Sequence, residues 1–429
     1  MKHKCKKFRK GNKQSGITLV ALVVTIVVLL ILAGVSLSLV LRSDGIIGRA
    51  KESGTEYAKG KTNDQTDLDS AADYIDETIS GIKKIEGVVI PNGYYYVGGT
   101  KDTGLVISDA ARDENKYKTA QAGKVLKDNL VGNQWVWVPV EDVTKLCNTA
   151  NTIEYTLCGT SADPVKTKLY SKSEILKGET RKTPGTSNGP YHREPDLVVG
   201  YHGTSYDAAN YKTIVGNNGT LKEMAELFKN EYKTMIKSIE KYGGFYIGRY
   251  ELSGDVSSPT EKSGRTITET NWYNLYNACK KLGANPDGSD KEGIATRMIW
   301  GCQWDATCDF IATKGEGKSI TNSSTWGNYS DNTETGKGTK QITGYSETWK
   351  ANNIYDIAGN CFEWTQEANS DAIRTFRGGV YSSDGSGGPA SGRTNNVLTT
   401  GSNYDYIRFP CHFNNYYWNL ESENQWKKI

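Results

Sequence analysis

The chain has little from which a metal or redox centre could be assembled. Its four histidines (His3, His192, His202 and His412) stand apart from one another and from the cysteines, and its 8 cysteines form no CxxC pair. That spacing gives a zinc site no support. Basic charge is concentrated in one place: residues 1–16 hold seven basic residues and no acid, and beyond them 45 basic residues face 49 acidic ones. That balance leaves no basic footprint for nucleic acid. Cys5 lies in the basic leader. Spacing offers Cys147 with Cys158, Cys302 with Cys308 and Cys361 with Cys411 as disulfide partners, and buried thiols suit these positions equally.

Charge is also missing from 17–41. A helix of that length would reach about 37 Å, against a hydrocarbon core of ~30 Å. One N-terminal transmembrane helix is therefore expected, with the basic leader cytoplasmic and the main domain extracellular in a single-pass cell-membrane protein. The leader ends KQSG and the apolar run begins ITLVALVV, which resembles the prepilin-type signal of type IV pilins. The resemblance implies that a prepilin peptidase cuts after Gly16 and that Ile17 becomes the methylated first residue, in a cell-surface or pilus-associated protein. Ala21 stands where pilins place Glu, which argues against filament assembly, and an unprocessed anchor is the alternative. Residues 42–84 are polar, with apolar residues sparse among acids, and read as a stalk.

At Ile85 the character changes, and 85–429 reads as the main domain. The strings VVIPNGYYYVGG (88–99), WVWVPV (135–140) and GGFYIGRYE (243–251) have strand composition. An insertion around 142–242 separates the last two, and much of its Thr-, Ser-, Asn- and Lys-rich course over 154–219 reads as loop. Its end differs: Leu221, Met224, Phe228, Met235, Ile236 and Ile239 recur at helical spacing, with Gly243 at the C-cap position. A second helix runs through Trp272, Leu275, Tyr276, Cys279 and Leu282 to Gly283.

The most specific strings lie further on: NIYDIAGNCFEW (353–364), FRGG (376–379), GRT (392–394) and IRF (407–409). Their order resembles the formylglycine-generating enzyme, or sulfatase-modifying-factor, family. The segment 295–307 keeps Arg297, Trp304 and Asp305 at the spacing of a further family motif. The resemblance implies an α+β, loop-rich, C-type-lectin-like fold, here with one N-terminal transmembrane helix. It gives Asn360, Trp364, Arg377, Gly378, Gly379 and Arg393 structural roles. It also implies a calcium ion held by the carboxylates of Asp356 and Glu363 and the carbonyls of Gly359 and Cys361, a mixture of hard oxygens that Ca²⁺ accepts. The family's oxidases carry two cysteines between the RGG and GFR motifs, whereas 380–410 has none. Cys411 alone forms no pair of soft ligands, so no copper is expected.

The region instead is rich in small polar residues and tyrosine: Tyr381, Ser383, Asp384, Asn395, Asn396, Tyr404, Asp405, Tyr406, Tyr416, Tyr417 and Trp418. Such a mixture suits recognition, because rigid aromatics add contact area at low entropy cost and Ser and Asn adapt their hydrogen bonds. The sequence thus reads as a bacterial surface-displayed, non-catalytic domain that binds an extracellular glycan or protein. The alternatives are a formylglycine-generating-type oxidase acting on exported proteins, a minor pilin or pseudopilin, and a variable protein of a diversity-generating retroelement, since proteins diversified in that way use the related fold.

Overall fold

The computed structural model describes residues 83–111, 132–143, 146–159, 164–172, 180–181, 189–190, 210–291, 293–370 and 373–397. The chain divides between Ala72 and Asp73 into two compact units, and all of these residues belong to the second. Strands β1 (Tyr95–Gly98), β2 (Val106–Ser108), β3 (Gln134–Pro139) and β4 (Gly244–Gly248) form an antiparallel sheet in the order β4-β3-β2-β1. Trp135, Val136, Val138 and Ile247 are wholly buried. Both faces of β3 are covered, which is why its sequence is a continuous apolar run rather than an alternating one. Trp137 lies opposite Tyr246 in the register, their rings 5.0 Å apart and edge to face.

The chain returns to β4 through α1 (Leu221–Tyr242). Thr220 Oγ1 accepts from Glu223 N at 3.2 Å while Thr220 N donates to Glu223 Oε2 at 2.7 Å, a reciprocal cap that satisfies two otherwise orphaned donors. Gly243, at φ 76°, closes the helix in the left-handed region and leads straight into β4. The apolar stripe Met224, Phe228, Tyr232, Met235, Ile236 and Ile239 is buried. Phe228 meets Trp272 and Tyr276 of α2 (Trp272–Leu282) with centroid distances of 5.8 and 5.2 Å. Helix α3 (Gly301–Thr313) is buried on nearly every side, so it shows little amphipathic pattern. Strands β5 (Glu363–Ser370), β6 (Ile373–Arg377) and β7 (Arg393–Val397) make a second antiparallel sheet with β6 central.

Two expectations change. The insertion is not all loop, since Cys147–Gly159 pairs antiparallel with Pro164–Lys172, placing Ile153 opposite Leu169 and Tyr155 opposite Thr167. Its Thr, Ile and Tyr residues carry strand propensity inside a polar composition. The second change concerns fold class and location. Among the described residues no helix is long and apolar enough to cross a membrane. The longest, α1, has 22 residues but is studded with charge from Lys222 to Lys241. The described residues are mostly small β-sheets with few helices. The loop-rich α+β expectation is met only in part, and the expected transmembrane helix and single-pass membrane localisation find no support among the described residues. Segment 17–41 lies outside the described residues.

Candidate ligand-binding site

The turn that carries Asp356 and Asn360 is built from residues that tolerate left-handed backbone. Asn352, Asn353, Asp356 and Asn360 have φ between 46° and 65°, a region that short polar side chains enter at least cost. Gly359 is required sterically, because a Cβ there would lie 2.2 Å from the Asn328 carbonyl oxygen. Asn360, wholly buried, ties four segments together. Its Nδ2 donates to Glu251 Oε2 at 2.6 Å and to the Gln341 carbonyl at 3.3 Å. Its Oδ1 accepts from Asn328 Nδ2 and from Gln341 N, both at 3.0 Å. Its carbonyl accepts from Tyr381 N at 3.0 Å, which fixes the start of the loop after β6.

Three buried carboxyls gather around this turn. Glu251 accepts from Thr266 Oγ1 at 2.6 Å and Cys361 N at 3.2 Å as well as from Asn360. Asp356 Oδ2 accepts from Thr343 Oγ1 at 2.9 Å and Gly344 N at 2.8 Å, while its buried Oδ1 has no hydrogen-bond partner. Glu363 opens β5 with no exposed surface, opposite Arg377 in the register. Burial pushes the Asp356 carboxyl up to about 7, against the two bonds it accepts. Glu251 and Glu363 are driven well above the usual carboxylate range, first by burial and then by neighbouring acids. Like charges so enclosed require a proton or a cation. No group of three or more His, Cys, Asp or Glu side chains among the described residues is arranged to hold a metal. Burial likewise raises the Cys361 thiol well above its ordinary range and leaves it unreactive. Cys279, Cys302 and Cys308 are buried thiols too, so Cys302 and Cys308 are not bridged.

Beside the turn, Arg377 is wholly buried and ion-paired to Asp305 and, at 3.2 Å, to Glu367 Oε2. Arg393, opposite Arg377 in the register, pairs with Glu367 as well. Trp304 Nε1 donates to the Ala390 carbonyl at 2.9 Å. On the other side of the core, Arg297 joins Glu231 of α1 at 2.5 Å to Asp290 at 2.6 Å. Gly378 and Gly379 both have positive φ, and a Cβ on Gly379 would fall 1.9 Å from the Gly388 carbonyl oxygen. Trp364 is buried edge-on to Phe376 at 5.0 Å.

This framework borders a shallow, open cleft of about 530 Å³ lined by Ser330, Phe362, Ser382, Ser383, Asp384 and Thr394 together with Gly387 and Gly388. Two stitches fix its wall. Ser330 N and Oγ donate to the Ser383 carbonyl at 2.9 and 3.0 Å. Asp331 Oδ1 accepts from Gly385 N at 3.0 Å. Asp384 is exposed, and its Oδ1 accepts from Ser386 N, Ser386 Oγ and Gly387 N at 3.1, 2.7 and 2.6 Å. These bonds, led by the Ser386 hydroxyl, hold its carboxyl below the usual range. Phe362 is half-buried, with its ring 4.8 Å from that of Phe376.

Of the surface residues named from sequence, the structure brings Ser383 and Asp384 into the cleft and leaves half-buried Tyr381 at its edge in sequence. Asn395 and Asn396 lie on β7 opposite Thr375 and Arg374. Tyr404, Asp405, Tyr406, Tyr416, Tyr417 and Trp418, with Gly16 and Ile17, lie outside the described residues. Sequence reasoning missed Ser330 and Phe362 in the cleft and Glu251 among the buried acids. Phe362 was visible as the odd apolar residue before buried Glu363, and Glu251 as an acid ending an apolar strand. No family model matches the chain, and no curated protein does. Among solved structures it is similar to Treponema denticola variable protein 1 at 12% identity, over 63% of this chain and 100% of that one, with a TM-score of 0.28. That likeness is too distant to assign a shared fold or role.

Proposed function

We propose that this chain is a non-catalytic ligand-binding domain similar to those of the sulfatase-modifying-factor family, and that its ligand, a glycan or a protein, docks in the cleft between Ser330 and Thr394. The observation that carries the reading is the cleft itself. It lies within the size range of small-ligand sites, about 300–1,000 Å³, and is lined by Ser383 and Asp384. Its wall is made of backbone held by fixed stitches, so little order has to be gained on binding.

The buried acids support a structural calcium ion. Asp356 and Glu363 would supply carboxylates and Gly359 and Cys361 carbonyls, and the Asp356 Oδ1 that lacks a hydrogen-bond partner fits such a role. A bound cation would neutralise the enclosed charge and brace the turn under the cleft. Thermal melting of the full chain tests this half: EDTA lowers the Tm and Ca²⁺, but not Mg²⁺, restores it. Calcium at a hundredfold excess over its Kd would add about 2.7 kcal/mol. An unchanged Tm removes the calcium. Capture of the full chain on glycan and protein arrays tests the other half, and saturable binding to neither class refutes it.

A further inference from the structure

We propose that the cleft is selective for a sugar ring without negative charge. This rests on the reading that the cleft is the binding site, and it follows from the chemistry of the lining. Ser382, Ser383 and Thr394 present hydroxyls, each able both to donate and to accept, the same versatility that a ligand hydroxyl has, while Ser330 Oγ, its proton given to the Ser383 carbonyl, offers an acceptor. Phe362 adds a half-buried aromatic wall for the C–H face of a ring, held in place by Phe376. Asp384 is the charged side chain of the lining among the described residues.

The role of Asp384 sets the selectivity. Its Oδ1 takes three donors from its own turn, which keeps the carboxylate ionised and its direction fixed. Its second oxygen is an acceptor suited to a sugar hydroxyl. A carboxylate, sulfate or phosphate on the ligand would meet that charge with no cation among the described lining residues to offset it, and such repulsion is an effective device for excluding a wrong ligand. Arg393, next to Thr394, does not supply the missing cation, because it is paired with Glu367. A protein ligand would be expected to need a larger apolar centre than one phenyl ring.

The test compares methyl galactoside with galacturonate supplied as its methyl glycoside, which differs from it only in carrying a carboxylate in place of the hydroxymethyl group at the sixth carbon, along with methyl mannoside and N-acetylglucosamine. Binding to the full chain is read by saturation-transfer NMR. At least one neutral sugar should bind, and galacturonate should be weaker than methyl galactoside by tenfold or more. Asp384→Asn keeps the shape of the turn and removes the charge, so the two should then bind within about threefold of each other, with the Tm preserved. Equal binding of both by the wild type, or a ratio that Asp384→Asn leaves unchanged, overturns the proposal. If no sugar binds while an array-captured protein does, and loses affinity in Ser383→Trp, the sugar assignment falls and the cleft stands as a binding site. If Ser383→Trp affects neither kind of ligand, the binding-site reading falls with it.

Discussion

Asn360→Ala is the substitution that most stringently tests how the turn is held. The change removes the 2.6 Å bond to Glu251 and the bonds to Asn328 and Gln341 at the centre of four segments. Each hydrogen bond contributes about 1 kcal/mol net, and leaving a buried partner unsatisfied raises the loss to about 1–3 kcal/mol. Asn328 Nδ2 keeps its bond to the Thr339 carbonyl at 2.9 Å, so its loss is partial. Alanine at φ 53° adds roughly 1 kcal/mol of backbone strain. The sum is about 4 kcal/mol, a large share of the roughly 5–15 kcal/mol by which domains are stable. Urea unfolding of the full chain followed by tryptophan fluorescence measures it. Asn360→Gly lacks the same bonds but not the strain, and should be about 1 kcal/mol less damaging than alanine. A loss below 1 kcal/mol for Asn360→Ala would refute the assignment of Asn360 as the tie.

Three further outcomes follow from the same framework. Arg377→Met removes the guanidinium from Asp305 and Glu367 in the core and should cost about 3–5 kcal/mol in urea melts. Gly379→Ala drives a Cβ into the Gly388 carbonyl and should cost about 2 kcal/mol or more, with faster amide exchange across 381–388. The Asp384 carboxyl is lowered in the folded chain, so the order it confers is complete above the unfolded value and is lost as pH falls through the folded one. Sugar binding should therefore hold from pH 7 to pH 5 and decline only below about 3.9; a midpoint near pH 6 would contradict this.

The elements that sequence announced are those whose local signals agree with their tertiary setting. The apolar spacing from Met224 to Ile239 and the glycine at 243 are the buried stripe and left-handed cap of α1. The strings at 135–140 and 243–251 are the paired strands β3 and β4. The hairpin at 147–172 was hidden, because a strand rich in Thr, Asn and Lys looks like loop until its partner is known. The loop-rich α+β expectation holds only in part, since the described residues form mostly small β-sheets with few helices. The cleft was half legible: Ser383 and Asp384 stand in a polar, glycine-rich string, whereas Ser330 arrives from a loop 53 residues away in sequence through its bond to Ser383. Non-local stitches of that kind leave no local pattern to read.

The measurement that most directly tests the central claim is calorimetric titration of the array-selected ligand into the wild-type chain and into Ser383→Trp. The indole would occupy the cleft without touching the Asn360 turn or the Arg377 ion pairs. Affinity should fall at least tenfold while the Tm stays within about 2 °C, a change no larger than ~1 kcal/mol for a domain of this size. Undiminished affinity in a folded Ser383→Trp chain would contradict the account, placing the ligand elsewhere on the protein.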